Sequence, residues 1–336
     1  MRLEPQHPAA PSASRESVAL LAQCFHALGD NVERVVKGKR ETVELALVCL
    51  FSEGHLLIED VPGTGKTTLA RCLAASLEAS WHRVQFTPDL LPSDITGVTI
   101  YRQNTGAFEF LPGPVFANIV LGDEVNRASP KTQSAMLEVM EERQVTADGR
   151  THPVPRPFMV IATQNSVDMG GTYPLPEAQL DRFLMQVTLG YPDHASEVAV
   201  LSGAASQSGQ PGIEQLPTIA TGQHIAEFVQ VARQIQVAPQ LYDYLVRVVA
   251  ATRALPEVRL GASPRGSVAL LRAVRVRAAS QGRTYALPED VKALAEPVLA
   301  HRLILTPEAE LSGRGGADVI AEALATVPVP QAGAPL

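Results

Sequence analysis

One segment restricts the fold of this chain more than any other: Asp60-Val-Pro-Gly-Thr-Gly-Lys-Thr-Thr68. It sits between an apolar run, His55–Glu59, and a helix-forming stretch, Leu69–Leu77. A strand that enters a glycine-containing loop ending in Gly-Lys-Thr and leaves it as a helix is the context of a phosphate-binding loop. Gly63 and Gly65 let the backbone curl its N–H groups around a phosphate, and the helix N-terminus adds its dipole. Lys66 supplies a point charge to the β- and γ-phosphates, and Thr67 offers a hydroxyl to Mg²⁺. The predicted cradle runs through Val61, Pro62, Gly63, Thr64, Gly65, Lys66, Thr67 and Thr68. Asp60 stands where the generic pattern has a glycine, so the strict motif is missed at one position.

Four more short apolar runs suit buried strands: His82–Phe86, Asn118–Gly122, Phe158–Thr163 and Phe183–Leu189. Helical stretches alternate with them, which predicts an α/β fold with a parallel sheet covered on both faces and a ligand at the C-terminal strand ends. Asn118-Ile-Val-Leu-Gly-Asp-Glu124 ends an apolar strand in two carboxylates. That pair is placed to give Asp123 to the Mg²⁺ shell and Glu124 to the water that attacks the γ-phosphate. No N-K-x-D guanine-reading motif occurs, which favours ATP over GTP.

The predicted organisation is a disordered leader at 1–14, a nucleotide-binding core at 15–202 and a Ser/Gly/Gln/Pro linker at 203–222. A helical lid at 223–310 and a C-terminal helix and tail at 311–336 follow. Apolar residues at Ile225, Phe228, Val229 and Ala232 recur with helical spacing, and similar stripes at 241–249, 268–276 and 291–299 predict about four lid helices with no strand among them. Asp148-Gly149 supplies the left-handed turn of a hairpin carrying Val145 and Val154 on its arms.

The net charge of −7 argues against a surface devoted to nucleic acid or anionic membrane. Arg272, Arg275, Arg277 and Arg283 form one basic cluster, but no aromatic platform is interleaved with them, which favours a solvated lid helix. Cys24, Cys49 and Cys72 lie far apart with neither disulfide nor zinc spacing, which fits a reducing cytoplasm. No apolar run is long enough to span a bilayer, so no membrane insertion is expected.

Several stretches resemble the MoxR-type AAA+ ATPases: EDVPGTGKT, GPVFANIVLGDEVNRASPKTQSAMLEVMEE, VIATQN, LPEAQLDRFLM and GASPRGSVALLRAVRVRA. They occur in the family's order over about Val35 to Leu305, and Asp60 is ordinary in that family. The resemblance implies a core with strand order 5-1-4-3-2 plus a helical lid, assembled as a homo-oligomeric ring, usually a hexamer, with ATP between subunits. It implies that Asn165 is the sensor that orients the attacking water and that Arg182 is an arginine finger reaching a neighbour's γ-phosphate. Arg127 competes for that role, and Arg265 resembles a second sensor at the start of a lid helix, acting in cis or in trans. Val36-Lys-Gly38 resembles the adenine-side segment, with Lys39 where the family often has Gln, and Leu90–Phe110 resembles an insertion in the second helix. The implied function is remodelling or activation of protein clients, such as cofactor or metal insertion, with a separate von Willebrand factor A-domain partner. A nucleic-acid remodelling motor and a nucleotide-gated scaffold are the alternatives.

Overall fold

The structure is a computed structural model, and it describes residues 13–61, 63–164, 172–205 and 212–330. Residues 1–12 of the predicted leader, Pro62 and Asn165 lie outside the described residues.

The strands are β1 Leu56–Glu59, β2 Trp81–Gln85, β3 Gly97–Arg102, β4 Ala107–Pro112, β5 Ile119–Asp123, β6 Gln144–Ala147, β7 Arg150–Pro153, β8 Met159–Gln164, β9 Met185–Val187, β10 Val258–Leu260 and β11 Ile304–Leu305. Five of them form one sheet in the order β2-β5-β8-β1-β9, and every pairing in it is parallel. This labelling differs from the expected 5-1-4-3-2 because β3, β4, β6 and β7 take numbers but pair outside the sheet. Counted over the sheet's own strands from the β9 edge, the sequence of strands is fifth, first, fourth, third, second.

Alternation of side chains along each strand splits the core into two layers. Leu56, Ile58, Ile119, Leu121, Met159 and Ile161 face one layer, while Leu57, Val120, Val160 and Ala162 face the other. Because both faces are covered, the strands read as continuous apolar runs. Each fully buried Leu or Ile in them contributes about 2 kcal/mol relative to exposure.

On the first face pack the helices Arg15–Glu33, Arg40–Phe51 and Lys66–Ser76, and that apolar layer continues without a break into the C-terminal helices. Phe51 stacks on Phe228 with ring centroids 6.3 Å apart. On the second face lies helix Pro130–Glu142, started by Pro130 and by Ser129, whose Oγ accepts from the Thr132 N–H.

Two hairpins project from this framework. β6 and β7 are joined through Asp148 and Gly149, both left-handed with φ of 49° and 74°, as Asp-Gly turn chemistry requires. The Leu90–Phe110 segment forms the short helix Pro92–Thr96 and then the antiparallel β3–β4 hairpin. Phe110 of β4 stacks on His152 of β7 at 4.1 Å, which ties the hairpins together.

Beyond the core the helices are Gly222–Arg233, Pro239–Ala251, Pro264–Ser280 and Pro288–Leu299, followed by Pro307–Leu311 and Gly316–Thr326. The expectation that this part holds no strand is corrected by the β10–β11 ribbon, whose Leu305 clusters with Ala309 and Val319. Its arms are only two and three residues long, too short for a period-two pattern to register.

The solvated reading of the basic cluster is corrected as well. Arg272 is largely buried and donates from Nη2 to the carbonyls of Ser52 and Glu53. Arg283 forks onto Asp290, with Nη1 at 2.8 Å and Nη2 at 2.6 Å, and Arg275 reaches the Tyr242 hydroxyl at 3.1 Å. The residues of the basic cluster are thus taken up by partners on several elements, with Arg277 and Arg283 sharing Asp290.

Candidate functional site

The loop after β1 has the geometry that its glycines predict. Gly63 and Gly65 take φ of 87° and 94°, and a Cβ at either would meet nothing within 4 Å, so backbone conformation rather than crowding requires glycine there. Lys66 is buried, and its Nζ donates to the carbonyls of Asp60 at 3.0 Å and Val61 at 3.1 Å. Thr67 and Thr68 are half-buried in the first turn of Lys66–Ser76.

Asp60, the departure from the generic motif, has a structural task. It is 4% exposed; Oδ1 accepts from the Val61 N–H at 2.7 Å, and Oδ2 accepts from the N–H groups of Leu189 at 3.0 Å and Gly190 at 2.7 Å. A glycine could not make these bonds, so the carboxylate pins the base of the loop to the chain leaving β9. Nearby, Lys39 donates from Nζ to the Tyr191 carbonyl at 2.7 Å, fastening the Val36–Gly38 segment to the same exit chain. A Cβ on Gly38 would fall 2.2 Å from Ser196 Oγ.

At the end of β5, Asp123 and Glu124 are interlocked by a residue of the VIATQN stretch to which the sequence assigned no role. Thr163 is fully buried on β8; its Oγ1 donates to Asp123 Oδ1 at 2.6 Å and accepts the Glu124 N–H at 2.9 Å. Asp123 Oδ2 accepts from Arg83 at 2.6 Å (Nη2) and 3.2 Å (Nε). Glu124 adopts the left-handed φ of 56°, a costly conformation for a non-glycine residue that Thr163 helps to hold. Its Oε2 accepts from Gln85 Nε2 at 3.2 Å and Arg127 Nη1 at 3.1 Å. The roles of Thr163, Gln85 and Arg83 were invisible because each acts through a neighbouring strand; the available signals were that Thr163 falls within VIATQN near the end of β8 and that Gln85 ends β2.

All of these groups stand at the C-terminal ends of parallel strands. Arg182 and Arg265 do not. Arg182 lies between helix Glu177–Leu180 and β9, and Arg265 is in the first turn of Pro264–Ser280, whose N-cap Ser263 accepts from the Arg265 N–H. Both guanidiniums meet Glu141 at the end of Pro130–Glu142: Arg182 Nη2 is 2.9 Å from Oε2 and Arg265 Nη2 is 3.1 Å from Oε1. They line a cavity of about 490 Å³ together with Gly54, His55, Arg143 and Arg272.

Gly54 and His55 precede β1 and the phosphate loop follows it. The cavity therefore lies at the opposite end of the sheet, with roughly 13 Å of strand between them at a rise of about 3.3 Å per residue. Arg127, by contrast, sits at the phosphate end, paired with its own Glu124.

The arginine end is firmly built. Arg302, almost fully buried, pairs through Nη1 with Asp181 and donates from Nη2 to the Phe183 carbonyl at 2.6 Å and from Nε to the Val298 carbonyl at 2.7 Å. Ser263 Oγ donates to the other Asp181 oxygen at 3.1 Å, so Asp181 joins the residue before Arg182 to the helix that carries Arg265. His55 is buried and neutral, its pKa lowered to about 3 by desolvation; one ring nitrogen faces the Met140 carbonyl at 3.1 Å and the other accepts from the Val160 N–H at 3.0 Å.

A parallel sheet with a phosphate loop at one strand end, two carboxylates on the strand beside it and a helical region behind defines a P-loop ATPase of the AAA+ class. Residues 55–185 match the family described as ATPase family associated with various cellular activities, and residues 250–323 match the AAA lid domain. The chain is 41% identical to Chaperone MoxR1 of Mycobacterium tuberculosis (98% of this chain, 88% of that protein) and 33% identical to Protein MoxR of Methylorubrum extorquens (89% and 93%). A crystal structure of a provisionally named ATPase from Cytophaga hutchinsonii superposes with a TM-score of 0.87 at 38% identity, covering 94% of this chain and 98% of that one. The chain belongs to the MoxR-type AAA+ ATPases. Among the described residues, no helix is long and apolar enough to cross a membrane.

Proposed function

We propose that this protein is a Mg²⁺-dependent ATPase that works as a cytoplasmic ring of identical copies, with each hydrolytic site completed between neighbouring subunits.

 The observation that carries this reading is the placement of functional groups at opposite ends of one sheet, with a phosphate loop, Asp123 and Glu124 at one end and Arg182 and Arg265 at the other. Neither arginine can reach the phosphate site of its own subunit across the length of β1, whereas in a closed ring of identical copies each subunit presents one end to its neighbour's other end. Arg182 and Arg265 both act in trans on this reading, and Arg127 stays with its own Glu124.

Within the site, Lys66 and the loop N–H groups bind the triphosphate, and Glu124, aimed by its left-handed backbone and by Gln85, takes the proton of the attacking water. Thr67 and Asp123 offer a hydroxyl and a carboxylate, hard oxygen donors that fit Mg²⁺, and Asp123 is held in place by Thr163. Mg²⁺ held by Thr67 and Asp123 would offset the negative charge of the bound phosphates. Asn165 is assigned to orient the water by resemblance to the family. The arginines of the neighbour stabilise charge spreading over the γ-phosphoryl group as it departs.

The work done with this energy is remodelling or activation of a protein client, in keeping with the relative named Chaperone MoxR1, through a separate von Willebrand factor A-domain partner and a ring of six copies. The nucleic-acid alternative loses support because Arg272 and Arg283 are taken up by the Ser52 and Glu53 carbonyls and by buried Asp290. Three free thiols suit a reducing compartment; burial pushes Cys24 up to about 11 and Cys72 up to about 12, which keeps both as inert thiols. The test is Glu124→Gln: ATP binding is retained while single-turnover hydrolysis falls by about 10²-fold or more. Wild-type turnover in that variant would remove Glu124 as the base.

A further inference from the structure

Glu141 has no place in the hydrolytic scheme above, yet it is the one carboxylate that both trans-acting arginines share. It gives one oxygen to each guanidinium, Oε2 to Arg182 at 2.9 Å and Oε1 to Arg265 at 3.1 Å. Each guanidinium meets Glu141 through a single Nη, so further N–H donors of both forks are left to face an incoming anion. Glu141 also sits in the last turn of Pro130–Glu142, where the negative end of the helix dipole favours cations.

Two guanidiniums drawn to one point repel each other, and Arg265, 62% exposed on its side chain, has room to leave. Arg182 is more confined at 29% exposure, and its Nε is buried without a hydrogen-bond partner. A carboxylate between them offsets the repulsion and fixes the spacing of the two forks before any phosphate arrives. The cavity also carries Arg143, Arg272 and Arg302 against Glu53 and Asp181, so its arginines outnumber its carboxylates and the wall stays attractive to an anion despite Glu141.

We infer that Glu141 is a positioning residue: it presents Arg182 and Arg265 as one two-pronged receptor for the γ-phosphate bound by the neighbouring copy. This rests on the trans reading of the two arginines, and the experiment separates the two claims. Glu141→Gln keeps size and shape but puts an amide N–H₂ against one of the guanidiniums, which breaks the shared contact. Since Glu141 is 38% exposed on its side chain, the substitution leaves the core intact.

The experiment mixes full-length subunits. Arg182→Ala subunits bind ATP but lack the finger, and Lys66→Ala subunits lack ATP but carry intact arginines. Mixed at equal concentration, with co-assembly followed by light scattering, they are expected to recover hydrolysis. Replacing the second partner by Lys66→Ala/Glu141→Gln is expected to lower the recovered rate on the order of 10- to 100-fold, the scale of a misplaced catalytic group. In the otherwise intact chain, Glu141→Gln is expected to lower kcat while the nucleotide Kd stays within about twofold, and Glu141→Asp to restore part of the rate. Equal recovery with and without Glu141 would overturn the positioning role and leave the trans reading standing. No recovery in the first mixture would overturn the trans reading and this inference with it. Loss of co-assembly in the Glu141→Gln mixture would place Glu141 in the subunit contact and also overturn the proposal.

Discussion

The two ends of the central sheet are built on opposite principles. At the phosphate end, backbone carries the design: Gly63, Gly65 and Glu124 all have positive φ, and the side chains that matter are oriented by N–H groups and by Thr163. At the far end, side-chain charge carries it: Arg182 and Arg265 share Glu141, while Arg302 and Asp181 fasten the chain beneath them. Backbone geometry suits a ligand that is wrapped by its own subunit. Long charged side chains suit a ligand that arrives from outside, because they reach across a gap that the backbone cannot close.

The sharpest way to break that contrast is to damage each end separately. Lys66→Ala is expected to abolish measurable nucleotide binding, whereas Arg182→Ala is expected to leave binding intact and lower turnover by about 10³-fold. Equilibrium titration with a fluorescent ATP analogue beside steady-state hydrolysis reads both, and weakened binding in Arg182→Ala would merge the two ends into one site. Thr163→Val tests the phosphate end more gently. It removes the hydroxyl that joins Asp123 to the Glu124 N–H while conserving volume, and it is expected to lower kcat by about 10- to 100-fold with a smaller change in binding. An unchanged kcat would show that the interlock holds structure only.

The smallest effect concerns pH at the arginine end. His55 has its pKa lowered to about 3 when folded, against about 6.5 unfolded, so between those values the unfolded chain binds the extra proton. Stability from this group is complete above about pH 6.5 and is lost as pH falls, by about 2 kcal/mol at pH 5. Denaturant titrations from pH 7.5 to 5 should show that decline, and a flat profile would contradict the buried neutral imidazole.

The phosphate end was legible because its chemistry is local. A turn that needs left-handed glycines, a lysine at a fixed offset and two carboxylates closing an apolar strand are all properties of adjacent residues. The same holds for the Asp148-Gly149 turn and for the five apolar runs of the sheet. The β10–β11 ribbon escaped notice because its arms are too short to carry a period. The basic residues from Arg272 to Arg283 misled because a one-dimensional cluster says nothing of separate partners such as Ser52 and Asp290.

By itself, then, the amino-acid order determined the five strands of the sheet, the phosphate-loop turn and the two carboxylates that close the strand beside it, since period, φ preference and motif spacing act over a few residues. Only the tertiary structure decided that Thr163 locks Asp123 to Glu124, that Asp60 fastens the loop to Leu189 and Gly190, and that Arg182 and Arg265 meet on Glu141 at the other end of the sheet. Those contacts join residues from about 40 to about 130 positions apart, and parallel strand pairing together with the docking of the C-terminal helices, neither of which local preference encodes, brings them together.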